Sequence, residues 1–358
     1  MAVHFHPLRV KNVHKETDDC VIITFDIPES LKVLFHYVHG QNITLKKNID
    51  GEEIRRSYSI CSAPFENKLS VAVKKVERGK FSTFANTRLQ KGDILEVLPP
   101  TGKFNTPLKA GNEKNYLAFA VGSGITPIIS IIKTTLDSEP SSGFTLVYGN
   151  RSRGSIIFIE ELAGLKNKYP DRFNFINILS RENTEAPINF GRIDSEKLAE
   201  LEKLVDYTLM DETFICGPQK MLFSVKSFLG ERGVAPNKIH FELFNTPGSV
   251  PDEREQSTPA ENRVTKSKIT IHSDGRRFDF WLAFNGESIL DAALKQGVDL
   301  PYACKGGVCC TCRAQLIEGD VKMDVNYALE AEELARGSIL TCQSHPLTAG
   351  VVVDFDSR

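Results

Sequence analysis

The chain has 358 residues, more than one hydrophobic core ordinarily serves, so its length points to two or three domains. Apolar residues make up 41% and charged residues 25%, which excludes a disordered or collagen-like chain. Lysine and arginine number 44 against 46 aspartates and glutamates, a net charge of −2 without the basic excess of a non-specific nucleic-acid binder.

The opening MAVHFHPLRV has neither the charged nor the apolar region of a signal peptide. The longest uncharged run, Asn115 to Ile132, carries Gly122, Gly124 and Pro127 in its middle and reads as strand, turn and helix rather than a membrane span. The expectation is a cytoplasmic protein with neither nucleic-acid nor membrane partners.

Up to about residue 107 the chain consists of short alternating runs: CVIITFDI, QNITL, RRSYSIC, LSVAVKKV and GDILEVLPP. Their β-branched and aromatic content at regular spacing predicts a small antiparallel barrel. Three motifs punctuate it: Arg56-Ser57-Tyr58-Ser59, Gly79-Lys80-Phe81-Ser82, and Pro100-Thr101-Gly102-Lys103-Phe104. The second opens a helix, and the N–H groups at a helix N-terminus suit a pyrophosphate.

After residue 115 the pattern alternates between strand and helix. YLAFAV, FTLVYG, FNFINIL, TFICG and KIHFEL suit strands buried on both faces, with helices expected at Ile128–Thr135, Phe158–Lys168 and Gln219–Leu229. This predicts an α/β domain, a parallel doubly wound sheet with helices on both faces. Gly122-Ser123-Gly124-Ile125-Thr126-Pro127 joins the first strand to a helix, where a dinucleotide pyrophosphate would sit, although the third glycine of the usual fingerprint is absent. Cys216-Gly217-Pro218 ends another strand, with no nearby histidine to activate the thiol as a nucleophile, and Glu242-Leu243-Phe244 ends the last. An NAD site usually offers an acid to the ribose diol after the second strand. Here that place holds Asn150, Arg151 and Arg153 and no acid, which favours NADPH over NADH; Ser180-Arg181-Glu182 follows the third strand.

Residues 246–266, TPGSVPDEREQSTPAENRVTK, hold three prolines, one glycine and almost nothing apolar, and read as a linker. Such a tether would let the module beyond it swing between the site that loads it and an outside acceptor. That module is the acidic part, with 10 basic and 13 acidic residues over 264–358, which favours a basic partner surface. It opens with two strands in KITIHSDGRRFDFWL, then a helix capped by Ser288, with Asp291 in its first turn and Gly297 beyond its end. Five of the eight cysteines crowd into the last 55 residues, a pattern of ligation rather than of a disulfide framework. Cys304-x4-Cys309-x2-Cys312, with Cys342 after 29 intervening residues, is the plant-type spacing for a [2Fe–2S] cluster. Gly306 and Gly307 let the loop approach the sulfides. A zinc site would more often pair two CxxC knuckles or add histidine, and only one CxxC exists here. Cys310 reads as a spare loop thiol.

On the cysteine motif, residues from Lys268 to about Phe355 resemble a plant-type ferredoxin domain, which implies an α+β β-grasp fold and one-electron transfer. The RSYS, GKFS, PTGKF, GSGITP and CGP elements resemble those of the ferredoxin–NADP reductase family. That resemblance implies a domain order: flavin-binding barrel over 1–107, nucleotide domain over 108–245, linker over 246–266, ferredoxin domain over 267–358. It implies that Arg56 pairs with a flavin phosphate, that Tyr58 lies on the flavin ring and that Ser59 bonds near flavin N5. Gly79, Lys80, Phe81 and Ser82 would cradle the pyrophosphate of FAD. Gly122, Gly124 and Thr126 would hold the pyridine nucleotide, with Ser180 and Arg181 at its 2′-phosphate and Cys216, Gly217 and Pro218 at the nicotinamide. Glu242 and Phe244 would face the flavin, and Ser59, Cys216 and Glu242 are the candidate catalytic residues.

The order of modules resembles reductase components of multicomponent oxygenases, above all the reductase subunit of the phenylacetyl-CoA epoxidase system. Phthalate dioxygenase reductases share the order, and for them the resemblance implies FMN. The implied activity takes a hydride from NADPH or NADH onto FAD and passes single electrons through the cluster to an oxygenase partner. Two alternatives stay open: the reductase of a Rieske dioxygenase or ketosteroid hydroxylase, and a ferredoxin-type electron carrier without pyridine-nucleotide activity.

Overall fold

The computed structural model describes residues 4–244 and 266–357. Most of the linker assigned to 246–266 lies outside the described residues; its last member, Lys266, is already the first residue of a strand.

The N-terminal sheet contains β1 (His6–Thr17), β2 (Cys20–Asp26), β3 (Asn42–Ile49), β4 (Glu52–Ser59), β5 (Leu69–Lys74) and β6 (Ile94–Val97), in the order β4-β3-β6-β1-β2-β5. The continuation of β4 bridges back to β5 through Ile60 and Val71, so the first and last strands of the order meet and the sheet closes as an antiparallel barrel. Alternate residues such as Leu8, Val10, Ile23, Ile43, Leu45, Val71 and Val97 fill its interior. The long strand β1 escaped the sequence reading because it buries only Leu8 and Val10 fully, and beyond them only Val13 packs against the barrel core. Helix α1 (Lys80–Thr87) packs on the barrel by Phe81 and Ala85, four residues apart and hence on one helix face.

The second sheet is parallel throughout. Its strands β7 (Asn115–Val121), β8 (Gly143–Asn150), β9 (Phe173–Leu179), β10 (Glu212–Gly217) and β11 (Ile239–Leu243) run in the order β11-β10-β7-β8-β9. Helices α2 (Ile125–Ser138), α3 (Ile159–Lys168), α4 (Ser195–Leu201) and α5 (Gln219–Glu231) connect the strands. Alternation along β7 divides the faces: Ala118 and Ala120 pack with the isoleucines of α2, whereas Phe119 meets Tyr207, which in turn meets Phe228 of α5. The first expected helix is longer at both ends than its apolar stripe. The second begins one residue later than expected, because Phe158 stands outside α3 in the left-handed region (φ 65°). The short helix α4 carried no signal beyond its capping residue Asp194, whose side chain accepts from Lys197 N.

The C-terminal unit is built on β12 (Lys266–Ser273), β13 (Arg276–Ala283), β14 (Arg313–Glu318), β16 (Ser338–Leu340) and β18 (Gly350–Asp354), in the order β13-β12-β18-β14-β16; β15 (Val321–Met323) pairs separately with β17 (Ser344–Pro346). Only β12 and β18 pair in parallel within this mixed sheet. Helix α6 (Ile289–Lys295) lays Ile289, Leu290, Ala292 and Ala293 into a core with Ile269, Ile271, Val351 and Val353. Ser288 caps it by accepting from Asp291 N at 3.2 Å, and Gly297 (φ 80°) follows its end. A short helix, α7 (Ala331–Ala335), precedes β16. Among the described residues no helix is long and apolar enough to cross a membrane.

Candidate functional site

Strand β4 delivers the first motif to the barrel surface. Arg56 is exposed, with its guanidinium donating to Arg55 O at 2.7 Å, and Tyr58 is half-buried with its ring centroid 5.6 Å from that of Phe81. Gly79 is the residue before α1 and offers no side-chain cap, so the helix's first N–H groups have no side-chain acceptor. A Cβ at Gly79 would lie 2.4 Å from Ser82 Oγ. Ser82 is buried, and its hydroxyl stitches this turn, accepting from Val76 N at 3.1 Å and donating to Gly79 O at 3.2 Å. Lys80 is exposed and pairs with Glu52. The bare helix end and the basic, aromatic strand beside it fit an anionic, ring-bearing cofactor.

The other candidates gather at the carboxyl ends of the parallel strands, where ligands of such sheets bind. Gly122 to Gly124 form a single 3-10 turn between β7 and α2, and Tyr148 OH donates to Gly122 O at 2.9 Å. Gly124 admits no other residue: a Cβ there would stand 2.1 Å from Cys216 O. This close approach sets the turn against the end of β10 and leaves the helix start open. Thr126 is buried in the first turn of α2, and Pro218 caps α5 in an exposed position. Beyond β8 and β9, Ser180 N–H donates to Asn150 O and Arg181 N–H to Arg151 O, both at 2.9 Å, which sets the two exposed arginines side by side. Glu182 turns away, accepting from Arg153 N at 2.8 Å.

The barrel and the parallel sheet meet at Ser59, whose Oγ donates to Glu242 Oε2 at 3.1 Å. Glu242 pairs in register with Cys216 across β10 and β11, so three candidates from three strands converge. Burial lifts the Glu242 carboxyl from 4.5 to about 7, against the opposing pull of the Ser59 hydroxyl. The residue as a whole keeps a partly exposed edge, but its carboxyl is desolvated. Burial, with the neighbouring Glu242 charge, pushes the Cys216 thiol well up, so it packs as a neutral thiol and not as a nucleophile. Phe244, half-buried, follows one residue after β11 and packs against the apolar cluster that holds Cys216.

In the C-terminal unit the loop after Leu300 wraps through left-handed residues at Lys305 (φ 50°), Gly307 (φ 72°) and Cys310 (φ 53°). At Gly307 a Cβ would also press on Val325 O at 3.0 Å. The four thiols lie near enough in two pairs, Cys304 with Cys309 and Cys312 with Cys342, to shift each other's titration. The Cys309 thiol, together with N–H groups of Gly306, Val308 and Cys309, pulls Cys304 down to about 6. The Cys312 thiol likewise pulls Cys342 down. Among the described residues no three His, Cys, Asp or Glu side chains gather around a single-ion position. Two thiol pairs joined by one loop, with N–H donors aimed at sulfur, fit a two-iron cluster. Cys310 stands apart, its Sγ donating to Ala328 O at 3.3 Å. Gln343 escaped the sequence reading: its amide donates to Lys305 O and Cys342 O at 2.9 and 3.0 Å, and its place beside a candidate ligand was the only signal.

Comparison with known proteins agrees with this geometry module by module. Residues 7–106 match the family described as oxidoreductase FAD-binding domain, 119–227 the oxidoreductase NAD-binding domain, and 272–347 the 2Fe-2S iron-sulfur cluster binding domain. The chain is 47% identical to a subunit of the 1,2-phenylacetyl-CoA epoxidase of Escherichia coli (strain K12), over 99% of this chain and 98% of that one. It is 33% identical to the ferredoxin reductase component of 3-ketosteroid-9-alpha-monooxygenase from Rhodococcus rhodochrous, over 97% and 96%. The solved phthalate dioxygenase reductase shares the fold at a TM-score of 0.59 and 22% identity, covering 98% of each chain. With an FAD-binding barrel, an NAD-binding sheet and a [2Fe–2S] module in one order along nearly the whole of both relatives, the chain is an oxidoreductase that belongs to the ferredoxin–NADP reductase family, among the members that carry a C-terminal plant-type ferredoxin domain.

Proposed function

We propose that this chain draws electrons from NADPH and delivers them singly to the oxygenase of a multicomponent system, the epoxidase that acts on phenylacetyl-CoA. The observation that carries the redox reading is the Ser59–Glu242 contact, which joins the end of the flavin strand to the end of the nucleotide sheet one strand from Cys216. The choice of partner rests on the 47% identity to the Escherichia coli epoxidase component over nearly both full lengths. When bound, FAD accepts a hydride from the nicotinamide and releases electrons one at a time to the [2Fe–2S] cluster.

In this reading the domains divide near residues 107 and 245. Arg56 pairs with a flavin phosphate, Tyr58 lies against the ring, and Gly79, Lys80, Phe81 and Ser82 present the start of α1 to the pyrophosphate. Gly122, Gly124 and Thr126 hold the dinucleotide, Cys216, Gly217 and Pro218 form the floor under the nicotinamide, and Phe244 covers the flavin when the nicotinamide is away. Ser180 and Arg181 receive the 2′-phosphate; the neighbouring Arg151 and the lack of a free acid at that edge favour NADPH. Ser59 and Glu242 hold an exchangeable proton beside the reacting edge of the flavin. Cys304, Cys309, Cys312 and Cys342 would hold the cluster through their thiolates. Cysteines crowded into one module as ligands, not spread as a disulfide framework, support a cytoplasmic setting.

Reconstitution tests the assignment. The purified chain is mixed with the oxygenase subunits of a phenylacetyl-CoA epoxidase, NADPH and phenylacetyl-CoA, and epoxide formation is followed. Epoxide formed in proportion to NADPH consumed is expected. Failure there, with support of a ketosteroid hydroxylase oxygenase instead, would reassign the partner.

A further inference from the structure

Helix α2 carries the nucleotide turn at its start, and two of its polar side chains are buried where it crosses the barrel. Ser130 is fully buried and donates to Ser62 O at 2.7 Å. One turn further on, Lys133 is 7% exposed, and its ammonium reaches Glu66 Oε2 at 2.9 Å and Glu161 Oε1 at 2.8 Å. Ser62 and Glu66 belong to the segment into which β4 runs directly after Ser59.

That segment is itself held firmly. Ser62 Oγ accepts from Ser70 N at 3.1 Å and lies 2.8 Å from Tyr37 OH, and the second Glu66 oxygen meets Lys68 at 3.1 Å. The remaining contact between α2 and the barrel is apolar: Cys61, Ala72 and Phe104 share a cluster with Ile125, Ile128, Ile129 and Ile132. Apolar packing is non-directional and tolerates sliding along a helix axis, whereas charge-assisted hydrogen bonds have fixed length and direction. From Gly124 to Lys133 the helix is a rigid rod of about 14 Å. Its axial position relative to Ser59 is therefore set where the polar bonds attach.

We propose that Ser130 and Lys133 are positioning residues, which tie α2 to the strand segment beyond Ser59 and so set the distance at which the nicotinamide meets the flavin. This rests on the function proposed above. A misplacement of about 1 Å in such an approach costs on the order of 100-fold in rate.

Glu66 and Glu161 provide the discriminating pair. Each contributes one carboxylate to the same ammonium, but only Glu66 belongs to the barrel; Glu161 lies on α3 of the nucleotide domain. In the holoprotein, Glu66→Gln should slow the limiting rate of flavin reduction by NADPH about tenfold while leaving the nucleotide Kd within about twofold. Amide hydrogen exchange over residues 60–66, apart from Ala63, whose N–H Glu66 itself accepts, should quicken in the same variant. Glu161→Gln should change neither reduction nor that exchange by more than about twofold. Ser130→Ala, a smaller perturbation, should follow Glu66→Gln in direction and serves if the glutamine variant does not fold. Equal effects from the two glutamate substitutions, or unchanged exchange at 60–66 in Glu66→Gln, would overturn the proposal. Wild-type flavin that no pyridine nucleotide reduces would instead refute the proposed function, and the exchange comparison would still decide the clamp.

Discussion

Replacing Glu242 with glutamine keeps the shape of the side chain and removes its charge, so it isolates what burial of this carboxyl costs. The group titrates near 4.5 when free and about 7 in the folded protein, with burial as the main cause. Because the folded pKa is raised, the native state retains a proton that the unfolded chain releases between those two values. Stability attached to this group is therefore intact below pH 4.5, falls as pH rises toward 7, and is lost above it. At 1.36 kcal/mol per pH unit, the shift corresponds to about 3 kcal/mol, an upper figure because the residue keeps a partly exposed edge. Urea unfolding of wild type and Glu242→Gln at pH 5 and pH 8 reads the effect directly. The variant should gain up to about 3 kcal/mol on wild type between the two conditions. An equal gap at both pH values would show that Glu242 is ionised throughout and that its burial is not what the geometry indicates.

The Ser59 hydroxyl works in the opposite sense, since its hydrogen bond to Oε2 favours the charged carboxylate. In Ser59→Ala the titration of Glu242 should move alkaline by about one unit, the worth of a hydrogen bond to a charged group. Infrared measurement of the protonated carboxyl band across pH detects this without reference to turnover. A shift in the acid direction would refute the assigned role of the bond. Two further outcomes follow from the separate modules. Cys312→Ser should abolish the iron signal while leaving flavin reduction by pyridine nucleotide intact, as absorbance and anaerobic titration would record; loss of flavin reduction would contradict the division into modules. Arg181→Ala should weaken NADPH binding about tenfold to hundredfold, the effect of losing a charge-assisted contact, and NADH binding far less. Equal losses for both nucleotides, measured by flavin fluorescence or steady-state KM, would remove Arg181 from the 2′-phosphate.

What was legible in the chain was whatever chemistry lies close together along it. Three of the four candidate cysteines fall within nine residues, Cys304 to Cys312, so their spacing alone points to a plant-type cluster loop. The same holds for the glycine turn at Gly122–Gly124 and for the apolar runs of the parallel strands, whose burial on both faces leaves continuous hydrophobic stretches. Strand β1 and helix α4 were not legible, because each buries too few apolar side chains to set a period. Local sequence also could not say which distant residues meet. Ser59 and Glu242 are 183 positions apart, Ser62 and Ser130 68, and Glu66 and Lys133 67. Nothing in the local sequence singles out Glu66 and Lys133; the packing of α2 on the barrel brings them together. Residue types and local spacing determined which cofactors this chain is built to hold. Only the docking of one domain's strand ends against the other's helix decided which distant side chains meet one another and at what distance, because those contacts depend on chain closure over tens to hundreds of residues that no local pattern encodes.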